Sequence, residues 1–391
     1  MIVLHVRMQL ALSFLAIHSL PAPAQQLPVK LLDGTKIEPA QIEVAVKTSM
    51  RAAGVTGAGI AIVNGGKIVY LKAFGLRDTR KRLPLTPDSV MTAASLSKSA
   101  FAIMVMTLVH DRIVELDKPV YEYLPKPLPE YPGYRDLARD PRYKLLTMRM
   151  LLDHTSGFPN WRRFMPDGKL RIYFPPGSRF AYSGEGIALA QMIVEIATGE
   201  STAQLMNERL FRPVGMIHTS MVWEPRFESD FANGYDERGE SLGPQRRRLA
   251  DAAGGMQTTL RDYALFVQAV LSGKIPDSHS RESMLSPQIQ ISSAHEFPSL
   301  AEETNAGPDR AIRLSYGLGW GLFWTPYGKA FFKEGHDDGW RHYVVCFDEP
   351  KSSLLIMTNS SNGEDIYDPL LRTLLGDTFT PLAWEGFHPA S

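Results

Sequence analysis

The chain of 391 residues contains a single cysteine, so no intrachain disulfide can form and stability must come from a buried core. Cys346 lies in the apolar run 343–347, which predicts a buried structural thiol rather than a nucleophile. A surplus of one charge sign is also lacking, because 42 Lys and Arg residues balance 42 Asp and Glu residues. The sequence therefore argues against a nucleic-acid partner.

Long apolar runs are absent after the N-terminus, so the sequence predicts no membrane span in the mature chain. Residues 8–20 form a short, mostly apolar run behind Arg7, and Ala22-Pro23-Ala24 matches an A-x-A cleavage pattern. These features predict a signal peptide at residues 1–24 and an exported, periplasmic or secreted protein of residues 25–391. The alternative is an uncleaved segment that anchors the chain to a membrane.

Internal repeats and low-complexity tracts are also lacking. Two β-prone runs flank Asn64-Gly65-Gly66 and predict a hairpin. Three further strands are predicted at 329–333, 340–347 and 353–358. Helices are predicted at 41–53, 100–109, 187–197 (ending at Gly199), 262–271 and 365–375.

This order predicts an α+β fold in one domain. An antiparallel sheet is built from both chain ends, at about 40–90 and 312–380, and is flanked by helices. A mainly helical lobe, at about 95–311, is inserted between them, and we expect the site in the cleft between sheet and lobe. Residues 125–141 and 296–310 are interpreted as long surface loops.

Three short motifs carry chemistry-bearing side chains. Ser95 and Lys98 lie three residues apart at the start of a predicted helix, which puts the hydroxyl and the amine on one face. Serine needs a neighbouring base to act as a nucleophile, and lysine serves only if its ammonium form is destabilised. Tyr182 could relay protons, and Lys333 on a late strand is expected to lower the pKa values of both Lys98 and Tyr182. Taken alone, the Ser-x-x-Lys motif is a weak signal, and a structural role is favoured for Tyr182 and for Lys333.

The order Ser-x-x-Lys, Tyr-x-x, Lys-x-Gly on helix, loop and strand resembles the three active-site boxes of the class C β-lactamase-like, penicillin-binding serine hydrolases. Segments along nearly the whole mature chain support the resemblance: Leu151-Leu152-Asp153-His154-Thr155-Ser156-Gly157, Ala253-Gly254-Gly255-Met256, Arg261-Asp262, Tyr316-Gly317-Leu318-Gly319-Trp320 and Met357-Thr358-Asn359.

The resemblance implies that Ser95 is acylated, that Lys98 and Tyr182 share the general-base and general-acid work, and that Lys333 tunes them and orients substrate. The oxyanion hole would use the backbone amides of Ser95 and His336. Gly335 allows a substrate to approach the backbone closely. No metal or cofactor is implied. The substrate would be a small molecule or peptide-like, and the oligomeric state cannot be inferred.

Two departures from the family pattern bear on the substrate. Gly184 stands where the second box usually has an Asn that contacts the substrate amide, and Glu334 stands where Thr or Ser is usual. Strand alternation predicts that Glu334 points away from the cleft if Lys333 points inward. His154 is expected to have a structural hydrogen-bonding role.

The leading hypothesis is an esterase-type hydrolase of ester or amide bonds that works through an acyl-Ser95 intermediate. One alternative is a β-lactamase, D,D-carboxypeptidase or D-aminopeptidase that acts on cell-wall-type substrates. The other is a non-catalytic binding protein on the same fold.

Overall fold

The computed structural model describes residues 28–304 and 310–387, so the predicted signal peptide lies outside the described residues. The strands in these two ranges are β1 (Val29–Lys30), β2 (Lys36–Ile37), β3 (Gly57–Asn64), β4 (Lys67–Asp78), β5 (Leu83–Pro84), β6 (Met91–Thr92), β7 (Gly234–Tyr235), β8 (Ser241–Gly243), β9 (Gln257–Thr258), β10 (Ile289–Gln290), β11 (Ser315–Tyr316), β12 (Gly321–Thr325), β13 (Gly328–Asp337), β14 (Trp340–Phe347) and β15 (Ser352–Thr358).

The α-helices are α1 (Pro39–Ala53), α2 (Leu96–His110), α3 (Met148–Leu152), α4 (Gly184–Thr198), α5 (Thr202–Met206), α6 (Arg212–Val214), α7 (Leu260–Leu271), α8 (Ser278–Met284), α9 (Tyr367–Leu375) and α10 (Leu382–Glu385). None of the helices within the described ranges combines the length and apolar character that a membrane crossing requires.

The main sheet joins the two ends of the chain. Its strands follow the order β10-β11-β12-β13-β14-β15-β3-β4-β5, and every neighbouring pair is antiparallel. The predicted hairpin is β3–β4, whose turn places Gly65 and Gly66 at φ of 55° and 74°, a region that side chains disfavour. The predicted α+β architecture, with helices between the two strand-rich ends, is confirmed.

Both faces of the sheet are buried, because successive residues of its central strands enter two different cores. Phe331 and Val344 pack into the core shared with the helical lobe and α2. Phe332 and Val345 pack into the core beneath α1 and α9. The start of α2, which follows Ser95, lies on the lobe side and contacts β13, whereas Tyr182 packs with the second core.

Two predicted surface loops are only partly at the surface. The segment 125–141 forms 3₁₀ turns over Leu128–Glu130 and Pro132–Arg139, and Leu128 and Leu137 are fully buried in the lobe core. In the second segment Glu296 is buried. The surface interpretation is wrong at these positions, because single apolar anchors inside a Pro-rich stretch show no helix or strand period.

Candidate active site

Ser95 lies at the tip of a tightly constrained turn that leads into α2. Ala94, just before it, has φ of 48°, a left-handed conformation that costs on the order of 1 kcal/mol for a residue with a Cβ. The Ser97 hydroxyl donates to the Ala94 carbonyl oxygen over 2.6 Å and accepts from the Met256 N–H over 3.2 Å. The first bond closes the turn, and the second ties it to the residue that precedes β9. Within the described residues the Ser95 N–H has no hydrogen-bond acceptor, as expected at a helix start.

Lys98 is held against Ser95 by the helix repeat. Its Nζ lies 2.9 Å from Ser95 Oγ and donates to the Ala253 carbonyl oxygen over 2.5 Å. Only 2% of the residue is exposed. Burial, and secondly the charge of Lys333, lower the pKa of Lys98 from 10.5 to about 7. An amine in this state can accept a proton from the serine near neutral pH.

Tyr182 lies between the two lysines. Lys333 Nζ donates to Tyr182 Oη over 3.0 Å, and Lys98 Nζ lies 5.0 Å from the centre of the tyrosine ring. The pKa of Tyr182 is raised well above its usual value, mainly by burial and then by the negative charge of Glu334. The expectation that Lys333 lowers the pKa of Tyr182 is therefore wrong, because desolvation of a buried phenol outweighs a neighbouring cation that is itself paired with a carboxylate.

His154 supports the tyrosine from behind. Its Nδ1 accepts from the Ser183 N–H over 3.2 Å, and its ring lies 4.5 Å from that of Tyr182. Burial lowers the pKa of His154 well below its usual value, so the imidazole is neutral. The predicted structural hydrogen-bonding role is confirmed.

Lys333 and Glu334 form an ion pair on β13. The Lys333 side chain is fully buried, and its Nζ contacts Glu334 Oε1. The Glu334 side chain lines the same cavity as Ser95. The expectation that Glu334 points away from the cleft is wrong, because β12 pairs with β13 only as far as Phe332 and the Glu334 carboxylate contacts the Lys333 ammonium group.

Gly335 allows β13 to approach the turn that carries Ser95. A Cβ at this position would lie 2.9 Å from the Ala93 carbonyl oxygen, which is closer than carbon and oxygen atoms pack. His336 follows it and pairs with Arg341 across the strand ladder. Its imidazole is exposed, with Nδ1 3.8 Å from Glu364 Oε2.

Gly184 lies at the start of α4, under an aromatic side chain. A Cβ there would lie 2.5 Å from the Trp161 ring, and the Gly184 N–H donates to Asn160 Oδ1 over 3.1 Å. Trp161 thus fills the space that the family's asparagine side chain would need. The sequence analysis missed Trp161 and Asn160, which follow the Thr-Ser-Gly segment closely but belong to no motif.

A cavity of about 600 Å³ opens beside Ser95. Its walls combine aromatic rings with acidic side chains. They are formed by Ser95, Asn160, Trp161, Arg163, Phe164, Tyr182, Phe297, Glu334, His336, Asp337, Asp338, Glu364, Glu385, Gly386 and Phe387.

Three buried acids, Glu296, Glu334 and Glu385, each place a carboxylate oxygen within 4.8 Å of the others. Such an all-oxygen set is the kind that hard cations bind. No sequence signal indicated Glu296 or Glu385, which lie outside every motif.

The chain matches the family model described as Beta-lactamase over residues 42–377. Among curated proteins it is similar to penicillin-binding protein 4* of Bacillus subtilis, with 24% identity over 80% of this chain and 70% of that protein. It is also similar to esterase EstB of Burkholderia gladioli, with 28% identity over 51% of this chain and 56% of the esterase. A D-aminopeptidase of Brucella anthropi is 24% identical over 82% of this chain and 59% of that enzyme. The chain thus spans little more than half the length of the latter two.

Two solved structures share the fold. The octameric penicillin-binding protein homologue from Pyrococcus abyssi superposes with a TM-score of 0.69 and 23% identity, covering 90% of this chain and 80% of that one. The D-alanine carboxypeptidase AmpC from Burkholderia cenocepacia superposes with a TM-score of 0.68 and 20% identity, covering 86% of this chain and 98% of that one. With the family match extending over most of the sequence, the chain belongs to the β-lactamase family of serine hydrolases.

Proposed function

We propose that this protein hydrolyses ester or amide bonds through an acyl-Ser95 intermediate. One observation carries the proposal, namely the 2.9 Å contact between Ser95 Oγ and the buried amine of Lys98, whose pKa is lowered to about 7. A serine and a base at this distance form an activated nucleophile.

In the proposed cycle Ser95 Oγ attacks the carbonyl carbon of the substrate while its proton moves to Lys98 Nζ. The backbone N–H groups of Ser95 and His336 would stabilise the oxyanion. Tyr182 stays neutral because its pKa is raised. Since Lys333 donates a hydrogen bond to Tyr182 Oη, the phenolic proton of Tyr182 is free to pass to the leaving group. Water then attacks the acyl-enzyme and gives a proton to the Tyr182 oxygen, while Lys98 Nζ returns its proton to Ser95 Oγ as the acyl bond breaks.

The proposed preference is for esters over β-lactams and D,D-peptides. Trp161 occupies the space above Gly184, so the side-chain amide that usually contacts a substrate amide has no room. The acidic cavity also opposes the carboxylate that β-lactams and D,D-peptides carry. Among the relatives, the esterase supports this preference, whereas the D-aminopeptidase supports the peptidase alternative.

The test compares hydrolysis of a short-chain p-nitrophenyl ester with that of a chromogenic cephalosporin. Ser95→Ala should lower the ester rate by about 10⁴-fold or more, whereas the control Ser278→Ala, at an exposed helix position, should leave it unchanged. Near-normal activity of Ser95→Ala would disprove the nucleophile assignment. Cephalosporin turnover equal to ester turnover would disprove the esterase preference and favour the lactamase alternative.

We further propose that residues 1–24 are a signal peptide and that the mature protein is exported. The support is the short apolar run followed by Ala22-Pro23-Ala24. Sequencing of the mature N-terminus after expression with the native leader should begin at Gln25. An intact Met1 in the membrane fraction would instead favour an uncleaved anchor.

A further inference from the structure

The cluster Glu296, Glu334 and Glu385 is unusual because all three carboxylates are buried, with 1%, 4% and 4% of each residue exposed. They come from three separate parts of the chain, namely a loop, β13 and α10. Buried carboxylates need cations or hydrogen-bond donors to offset the cost of removing them from water. Within residues 28–304 and 310–387, few such partners contact Glu296 and Glu385.

Lys333 is paired with Glu334, and Lys98 loses its charge as the pH rises through about 7. Glu385 Oε2 accepts from Tyr343 Oη over 2.6 Å. Glu296 Oε2 and Glu385 Oε1 are buried without a hydrogen-bond donor among the described residues. Among the described residues neither Glu296 nor Glu385 therefore forms an ion pair, and this is the arrangement of a site that receives its cation from outside the protein.

Two of the three acids are accessible from the nucleophile. Glu334 and Glu385 line the cavity that contains Ser95, and the rings of Tyr182 and Phe297 line it too. Carboxylates together with aromatic faces match an organic ammonium group, which gains from both charge pairing and cation–π contact. A divalent metal ion would gain only from the oxygens.

We propose that Glu296, Glu334 and Glu385 form a subsite for the ammonium group of a substrate that is cleaved at Ser95. This inference rests on the proposed function and names its substrate class: esters or amides that carry an amine. Burial raises the pKa values of Glu296 and Glu385 well above their usual range. The charge of Lys333 acts on both acids and that of Lys98 on Glu296, and a bound ammonium group would add a positive charge that favours their ionised forms.

Matched substrates of nearly equal size test the proposal. β-Alanine ethyl ester is compared with ethyl butyrate, which places the charge on the acyl side. Butyrylcholine is compared with its uncharged dimethylbutyl ester analogue, which places the charge on the alcohol side. The wild-type protein should hydrolyse the charged member of at least one pair with a kcat/KM about tenfold or more above that of the neutral member. The pair with this preference shows whether the acyl side or the alcohol side of the ester binds the three acids.

Glu385→Gln and Glu296→Gln keep the side-chain shape and remove one charge each. Each should lower the ratio of kcat/KM for the charged ester to that for the neutral ester about tenfold. The exposed control Glu115→Gln should leave this ratio within about twofold of the wild-type value. Propylammonium should inhibit neutral-ester hydrolysis by the wild-type protein more strongly than propanol, which tests the subsite without any variant.

Several outcomes would overturn the subsite: no preference in either pair, a preference that survives in both variants, or equal inhibition by the amine and the alcohol. Activation by Ca²⁺ that is abolished by EDTA would also overturn it and indicate a metal site. If the wild-type protein shows no preference for either charged ester but its ester hydrolysis still depends on Ser95, only this inference is refuted. Ester hydrolysis that persists in Ser95→Ala refutes the proposed function itself.

Discussion

Replacement of Lys98 by methionine should stabilise the protein while it abolishes activity. Met has a similar length and no charge, so Lys98→Met removes an ammonium group that is costly to bury. The pKa of Lys98 falls from 10.5 to about 7 on folding. At about 1.4 kcal/mol per pKa unit, this difference corresponds to about 5 kcal/mol of folding free energy at pH 7.

Part of that gain is lost again in the variant. The Ala253 carbonyl oxygen accepts a hydrogen bond from Lys98 Nζ over 2.5 Å, and a buried acceptor without a donor costs about 1–3 kcal/mol. We therefore expect Lys98→Met to be more stable than wild type by about 2–4 kcal/mol at pH 7.

The difference should depend on pH in a defined direction. Between about 7 and 10.5 the unfolded chain binds the Lys98 proton and the folded chain does not. The stability of the wild-type protein therefore rises with pH across this window, relative to the variant, and the advantage of Lys98→Met shrinks. Below about pH 7 both states of the wild-type protein are protonated and the advantage is constant.

Urea unfolding followed by tryptophan fluorescence at pH 7, 8 and 9 measures this difference, with the exposed Lys67 replaced by methionine as the control for loss of one lysine. The reasoning is refuted if Lys98→Met is less stable than wild type at pH 7, or if the stability difference is the same at pH 7 and pH 9.

Three further predictions concern activity and packing. For hydrolysis of a neutral ester, kcat/KM should fall as the pH drops below about 7, because protonated Lys98 cannot accept the Ser95 proton; a profile that stays flat from pH 5 to pH 8 would contradict this. Gly184→Asn should destabilise the fold by about 1–3 kcal/mol, measured by thermal melts, because the new side chain clashes with Trp161. Adding Trp161→Ala should restore the stability and raise cephalosporin turnover above that of either single variant. Gly335→Ala should lower kcat/KM about 10²-fold, because its Cβ would lie 2.9 Å from the Ala93 carbonyl oxygen and would displace the turn that carries Ser95. An unchanged kcat/KM would contradict this prediction.

The architecture was largely predictable because its signals are local. Alternating and β-rich runs around Asn64-Gly65-Gly66 specify the β3–β4 hairpin, and apolar periodicity with a terminal glycine specifies α4. The pairing of β15 with β3 joins the two chain ends. This pairing was predicted from the distribution of strands along the chain together with the resemblance to a known family. The residue pattern of either strand alone does not specify a partner nearly 300 residues away.

Part of the site was predictable for the same reason. Ser95 and Lys98 are three residues apart on one helix, so their 2.9 Å contact is fixed by the helix repeat. The grouping of Tyr182 and Lys333 with them came from the order of motifs, and the structure brings all four side chains together.

The tertiary structure alone decided the charges and the shape of the cleft. The direction of the Tyr182 pKa shift depends on burial and on Glu334, and the contact of Trp161 with Gly184 depends on how one loop folds over α4. Glu296 and Glu385 are 89 positions apart in sequence and reach Glu334 only through loop packing. Helix and strand periods constrain neighbours within a few residues, whereas desolvation and electrostatic coupling depend on distances through space, which no local pattern encodes.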